Sequence, residues 1–547
     1  MKIKNILSLS CDEAMDFLLK SEQYHTFELP EYLNFDKLLS SIKRTIGDRS
    51  FEACLGKGVT PDELANVNLD ILLNKDGRYA VRPIMLANPY LYYFLVREVC
   101  TKDNWNMILE CFKRFDVPNI TSCALPVVPE KAESFHNSTT ILNWWSNIEQ
   151  RSIELSLEYR YMFVTDITNC YGSMNPQSFD WAFSMKGTEY ETAGNSTLSQ
   201  NLQKFIRAFQ QGRNIGLPQG SVIFDFIGEI VLGYSDLLLH ERLKSNCKVT
   251  KPYKVLRFRD DYRVFCNDKD TLEEISYTLQ SVLESLNFRM NSQKTRISDS
   301  VVTDSIKPDK LFYIYNTPVC NKKGVVFDGI EKHLLFALML GRQYPNAGQL
   351  KIQLSSIDKR VQDMLKPHKQ YKEWAIRLSE DSDVLSQSEK PELKENVVPR
   401  RIRENVRVLV AIAVQIAIEN VALVHYALRL ISRMVNSLKD EKEKWDIIDK
   451  VFSKLSNMPN SQYNQLWLQN ITYQRDKKNR KNPYEMRLCR LVFGDKDVEI
   501  WNNSWLDDDI KENVALRTIV DNDKVEAYTP VITFRETRAY NEQSNRY

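Results

Sequence analysis

Asp166 closes the β-rich run Tyr161-Met-Phe-Val-Thr-Asp166-Ile, and Asp260-Asp261 stand between two further β-rich runs, Val255-Leu-Arg-Phe258 and Tyr262-Arg-Val-Phe265. Asp166 and Asp260 lie 94 residues apart, yet a small sheet can set such strand ends side by side. Carboxylates that converge without a compensating Lys or Arg repel one another. Divalent cations relieve that repulsion, and Mg²⁺ favours hard oxygen ligands while keeping positions open for substrate phosphates. Two ions roughly 4 Å apart activate an attacking hydroxyl and stabilise the leaving oxygen of an in-line displacement, so the chemistry these acids would serve is nucleotidyl transfer. An Asp-Asp dipeptide alone is a common exposed turn, because acids favour turns. Here the flanking β-formers place it at a tight hairpin, and the other acid also ends a β-run.

Elements must hold those acids in place. Phe224 to Leu239 has apolar residues at helical spacing directly after the Gly and Pro punctuation of Gly216-Leu-Pro-Gln-Gly220-Ser, and Thr271 to Leu286 is a second amphipathic helix. Residues 161 to 300 thus run strand, helix, paired strands, helix, which predicts an α+β layer: a small antiparallel sheet backed by helices, in split βαβ order. Ser379 to Arg400 is polar, acidic and proline-bearing and reads as a linker or long surface loop. Beyond it Ile402 to Leu438, Trp445 to Leu455 and Gln462 to Tyr473 read as successive helices with no clean repeat period. The apolar stretch Val408 to Ile431 is interrupted by Gln415, Glu419, Asn420, His425 and Arg429, so it predicts a buried helix or helix pair and no membrane span.

A chain of 547 residues allows three or four folding units at about 150 residues each. Its 43% hydrophobic and 27% charged content excludes disorder throughout. The formal charge is only +2, so a polyanion must be gripped by a local patch. Tyr473 to Arg490 is the best such patch, with Arg475, Lys477, Lys478, Arg480, Lys481, Arg487 and Arg490 and with Tyr473 and Tyr484 interleaved. It suits phosphate binding with base stacking, and equally a solvated helix end and loop. The ten cysteines form no C-x-x-C pair and no zinc-ligand spacing, and MKIKNILSLSCD lacks the pattern of a cleaved signal peptide. The expectation is a cytoplasmic protein with reduced thiols.

Asp166-Ile-Thr-Asn-Cys-Tyr171 resembles motif A of reverse transcriptases, Leu217-Pro-Gln-Gly220-Ser221 resembles their motif B, Phe258-Arg-Asp260-Asp261 resembles motif C, and Asn291-Ser-Gln-Lys294-Thr295 resembles motif D. Lys310-Leu-Phe-Tyr313 lies where the primer grip would follow. Arg82-Pro83, Asn88-Pro89, Trp144-Trp145, Glu149-Gln150 and Asn169-Cys170-Tyr171-Gly172-Ser173 are similar to the bacterial abortive-infection and "unknown group" defence reverse transcriptases. The resemblance covers roughly residues 75 to 330. It implies polymerase fingers and palm followed by an all-α domain: 1–160 the N-terminal region and fingers, 161–330 the palm, 331–400 a helical connection and polar linker, and 401–547 the α-helical C-terminal domain. It further implies an Mg²⁺-dependent RNA-directed DNA polymerase with two ions, for which Mn²⁺ can substitute. Its partners would be dNTPs, an RNA template or non-coding RNA and a DNA product, with no membrane partner; a homo-oligomer stays open. The biological role would be antiphage defence. An untemplated or protein-primed DNA synthase, or an RNA-binding scaffold with a vestigial site, are the alternatives.

By the same resemblance Asp166 and Asp260 are metal ligands, the Ile167 carbonyl is a backbone ligand and Asp261 an auxiliary acid. Tyr171 would be an aromatic gate against the sugar 2′-hydroxyl, or else a core tyrosine. Gly216 and Gly220 would let backbone approach the templating pair, Gln219 would hydrogen-bond near the nucleotide, Lys294 would approach the triphosphate, and Arg78 and Arg82 would clamp phosphate from the fingers. Phe258 replaces the usual Tyr, and Arg259 puts a long cation where a primer end would pass. Lys477, Lys478, Arg480 and Lys481 are the expected nucleic-acid contacts. No second acid cluster suggests an RNase H domain.

Overall fold

The computed structural model describes residues 4–56, 58–74, 81–128, 145–194, 196–316, 329–365, 390–495, 498–528 and 530–534. Arg78, Trp144 and the 379–389 part of the expected linker lie outside them. Two strands, β1 (Leu69–Asn74) and β2 (Val81–Leu86), form an antiparallel pair. Five more build the main sheet: β3 (Ile120–Ser122), β4 (Tyr161–Asp166), β5 (Tyr253–Phe258), β6 (Asp261–Cys266) and β7 (Arg296–Ser298), in the order β3-β5-β6-β4-β7. β3 runs parallel to β5 and every other pair is antiparallel. From β4 to β7 the chain runs β-α-β-β-α-β with the first strand next to the last, which is the split βαβ order expected from the residue pattern.

The sheet forms where β-branched and aromatic residues cluster, and β6 is buried from Tyr262 through Cys266 because both of its faces are covered. The helix Val222–Ser245 backs it. Nearly every residue from Val222 to Leu239 is buried, as befits a helix that is apolar on all sides. It packs against the helices Lys102–Phe115 and Lys269–Ser285, with Phe226 stacked on Phe112 at 5.8 Å between ring centres. The second of these starts at Asp268, whose carboxylate accepts the Thr271 N–H at 2.8 Å and satisfies one orphan donor of the first turn.

The same central helix carries acids that its apolar surroundings tolerate only when paired. Arg257 of β5 is wholly buried and donates from Nε to Asp236 at 2.8 Å and from Nη1 to Glu229 at 3.0 Å. Glu229 and Asp236 are two helical turns apart, so both face β5. A second buried pair, Lys310 Nζ to Glu149 at 3.0 Å, fastens the segment after the sheet. Lys310 to Tyr313, expected at a primer grip, lie inside the helix Pro308–Asn316.

The rest is helical. Ile330–Gln343 and Gly348–Leu365 pack with Lys390–Glu419 and Val424–Asn436, and Glu441–Ser456 and Gln462–Asn479 follow. The expected linker is corrected at its end: residues from Lys390 onward are helical, and the helix they open carries the buried Ile402. Val408 to Ile431 is a helix pair. Asn420 leaves helical geometry (φ −134°, ψ 66°), and its side chain donates to the Ile416 carbonyl at 3.1 Å and accepts the Asn346 N–H at 2.8 Å. Asp358 is buried between Arg429 at 3.2 Å and Arg433 at 2.7 Å, which locks two of these helices together. Among the described residues no helix is long and apolar enough to cross a membrane.

The chain then returns to its beginning. Trp501 Nε1 donates to the Leu86 carbonyl at 3.1 Å, Asn88 Nδ2 donates to Asn503 Oδ1 at 2.8 Å, and the Gly56 N–H donates to the Trp505 carbonyl at 2.7 Å. Trp501 and Trp505 are both buried by this closure.

Candidate functional site

Strand register puts Asp166 directly opposite Asp261 on neighbouring antiparallel strands. The β5–β6 connection is only Arg259 and Asp260, and Arg259 takes the left-handed conformation (φ +54°) that so tight a reversal demands. The Ile167 N–H donates to the Asp260 carbonyl at 3.1 Å, so all three acids and Ile167 meet at one end of the neighbouring strands β4 and β6.

Lys294 comes to the same place, which corrects the picture of uncompensated acids. The Asn291 N–H donates to the Asp166 carbonyl at 2.8 Å, and Thr295 and Thr165 hydroxyls meet at 2.7 Å. This stitching carries Lys294 Nζ to 2.5 Å from Asp166 Oδ2. Asp166 is buried, and its other oxygen, Oδ1, has no hydrogen-bond partner among the described residues. Asp260 has its pKa raised by burial first, with the charge of Asp166 adding to it. Asp261 shifts the same way, through loss of solvent and then the charge of Asp260, although its open side admits screening water. Among the described residues no group of three or more His, Cys, Asp or Glu side chains is gathered to hold a metal ion. The orphaned Oδ1 and the mutual repulsion of Asp166 and Asp260 are nevertheless the features a hard cation would satisfy.

Beside the acids opens a cleft of about 390 Å³. It gathers five of the residues singled out in the sequence: Arg82 from β2, Tyr171, Gln219, Gly220 and Arg259. Asp166, Asp260, Asp261 and Lys294 do not line it. The helical part of the chain contributes Asn346, Lys351 and Leu423 to the opposite wall. Gly220 is required here by its own backbone. Its φ is +136° and a Cβ would collide with the Met85 carbonyl, so its close approach is to β2 of the same chain. The Met85 N–H donates to the Gln219 carbonyl at 2.7 Å, and the Thr26 N–H donates to the Gly220 carbonyl at 2.8 Å, which fixes the loop as part of the cleft wall.

Tyr171 donates from its hydroxyl to Asp225 Oδ1 at 2.8 Å, and Arg259 Nη2 donates to Asp225 Oδ2 at 2.7 Å. Arg259 is thereby drawn onto the central helix while still lining the cleft. Burial, and then the Asp225 charge, push the Tyr171 phenol well up, so it remains a donor. Asp225, Glu229, Asp236 and Arg257 are the residues that sequence reasoning passed over. Three acids in an otherwise apolar helix were the available signal, since buried charges need partners.

The basic segment divides in two. Tyr473 and Tyr484 are buried and cannot stack on bases, and Tyr484 shares a 2.6 Å hydrogen bond with Thr472. Arg475 pairs with Asp449 at 2.7 Å and lies over Trp445, and Lys477 pairs with Glu526 at 2.5 Å. Lys478, Arg480 and Lys481 are exposed around the C-terminal end of Gln462–Asn479, where Arg480 caps the helix in the left-handed conformation (φ 52°).

Neither a protein-family model nor a curated protein matches the chain. Among solved structures it is similar to telomerase from Candida albicans in complex with a TWJ fragment of telomeric RNA, at 11% identity and a TM-score of 0.27, over 73% of this chain and 68% of that one. It is also similar to telomerase from Candida tropicalis in complex with the same kind of fragment, at 15% identity and a TM-score of 0.25, over 76% and 67%.

Proposed function

We propose that the chain is a nucleotidyltransferase of the reverse-transcriptase type that adds dNTPs to a growing DNA end. The observation that carries this reading is the split βαβ sheet, which sets the motif-A acid Asp166 opposite Asp261 and beside Asp260 at the edge of a polar cleft. Asp166 and Asp260, with Asp261 and the Ile167 carbonyl beside them, would hold divalent cations. When bound, Mg²⁺, or Mn²⁺ in its place, supplies charge neutralisation of the phosphates and activation of the attacking hydroxyl. The protein's own groups do the rest. Lys294, held by Asp166, is a largely exposed cation that would approach a triphosphate. Arg82 offers a second cation from β2, Gln219 an amide on the cleft wall, and the Tyr171 ring the bulk that excludes a ribose 2′-hydroxyl.

The deciding experiment is purification with bound nucleic acid, sequencing of that material, and measurement of dNTP incorporation before and after RNase treatment. Incorporation that RNase abolishes supports RNA templating, and incorporation that survives it supports the untemplated or protein-primed alternative. No incorporation under either condition would leave the RNA-binding scaffold. The antiphage role rests on motif resemblance alone, and equal phage plating with and without the active gene would remove it.

Two expectations accompany this reading. Tyr171→Ala lowers the preference for dNTPs over rNTPs by at least about tenfold, equivalent to about 1.4 kcal/mol of discrimination; single-nucleotide kinetics with an unchanged ratio would dismiss the gate. Replacing Lys478, Arg480 and Lys481 together with Ala weakens nucleic-acid binding and lowers the log–log salt slope by about one unit for each phosphate that is no longer neutralised. Lys477→Ala leaves that slope unaltered, because Lys477 is already paired with Glu526. A triple variant with the parent's slope takes this segment out of the nucleic-acid path.

A further inference from the structure

Tyr171 is seated by two residues of the central helix that lie one turn apart. Its hydroxyl is hooked by Asp225 at 2.8 Å, and a Cβ placed on Gly228 would lie 3.5 Å from Tyr171 Cε1, so the ring rests against a position where no side chain intervenes. Asp225 is largely buried, with 12% of its side chain exposed, and both of its oxygens are used: the second accepts from Arg259 at 2.7 Å. Arg259 is half of the two-residue hairpin tip that carries Asp260, and its carbonyl accepts from Arg257 Nη1 at 3.2 Å. Arg257 is anchored on Glu229 and Asp236 of the same helix. One helix therefore sets the height of the Tyr171 ring and the position of the acidic hairpin together.

We infer that Asp225 is the positioning residue for sugar selection, holding the Tyr171 ring across the cleft by its hydroxyl and coupling that ring to the hairpin through Arg259, with Gly228 as the ring's seat. This rests on the reading of the cleft as a deoxynucleotide site. A phenyl ring without its hydroxyl anchor keeps its bulk but gains freedom to swing away, so discrimination falls while the gate residue remains present. Asn at position 225 presents one carbonyl oxygen for two donors, and it cannot neutralise Arg259.

The test uses the full-length protein and the ratio of kcat/KM for dNTP to that for the matching rNTP, a quantity that a merely structural role would not move. Tyr171→Phe and Asp225→Asn are each expected to lower the ratio about three- to tenfold. The double variant should fall no further than the worse single one, because both changes break the same link. If the parent selects dNTPs and Tyr171→Ala abolishes selection, yet Tyr171→Phe and Asp225→Asn keep the parent ratio or act additively, the positioning role is overturned and the gate stands. If Tyr171→Ala also keeps the ratio, the gate and its positioning fall together. Should Asp225→Asn not fold, Tyr171→Phe alone decides, since it removes one oxygen and retains the ring.

Discussion

Asp260→Asn is expected to lower nucleotide incorporation by about 10³-fold or more, and Asp166→Asn to do the same, while both proteins stay folded. Asn has the shape of Asp but carries no charge and offers one oxygen in place of two, so the pair can no longer hold a divalent cation; several kcal/mol of transition-state stabilisation go with it. The folded state should not suffer at position 260. Burial and the neighbouring Asp166 both oppose ionisation of Asp260, so a neutral side chain relieves a conflict already present. Thermal unfolding of Asp260→Asn is therefore expected at or above the parent temperature, together with weakened Mn²⁺ binding measured calorimetrically. Incorporation within tenfold of the parent by the folded double variant would end the assignment of these acids.

Arg257→Met is expected to have the largest effect on stability. Breaking a buried ion pair by removing one partner costs about 3–5 kcal/mol, and here one guanidinium serves two buried carboxylates. The deficit should depend on pH. Burial outweighs the pull of Arg257 on Asp236 and pushes its pKa up to about 6 from the usual 3.8. A carboxyl raised in the folded state stabilises fully below its unfolded value and loses that contribution as pH rises through the folded one. Without Arg257 the folded value climbs further, so the variant's deficit should widen from pH 5 to pH 8 and narrow on acidification. Urea unfolding across that range measures it, and a deficit that is flat with pH, or below about 1 kcal/mol, would contradict the role given to this cluster.

The three central strands were legible because their signals are local, whereas the three-residue β3, which pairs parallel, and β7 are too short to show a pattern. Alternating β-formers end at Asp166 and resume on each side of Asp260-Asp261, and a two-residue reversal then leaves only one register, the one observed. The central helix was legible from its spacing and from the punctuation before it. What it does with Asp225, Glu229 and Asp236 was not, because the partner of a buried charge is chosen by tertiary packing, and Arg257 and Arg259 approach from a strand and a turn that follow the helix in the chain. Lys294 shows the same limit. Motif spacing brought it near the acids, but only the bonds from Asn291 and Thr295 to the end of β4 turn its ammonium onto Asp166. Tyr473 and Tyr484 read as stacking platforms because tyrosine suits both a wet surface and a core, and the helices around Thr472 decided for the core. Residues 390–400 read as linker because their composition is polar, although the helix they lead into lends them its geometry.

The closure of the chain's beginning by Trp501, Asn503 and Trp505 has a consequence in time. The Leu86 carbonyl waits for a donor 415 positions further on, and at roughly 5–20 residues per second that is about 20 to 80 s of synthesis. Throughout that interval β1, β2 and the Asn88 turn lack the cover that buries them in the finished protein. Arg82 sits on that hairpin, and the Met85 amide beside it pins the loop of Gln219 and Gly220. The strand that carries Arg82 thus reaches its full set of contacts only after residue 501 has been made, and a chain halted before that point would leave the Leu86 carbonyl without the Trp501 donor.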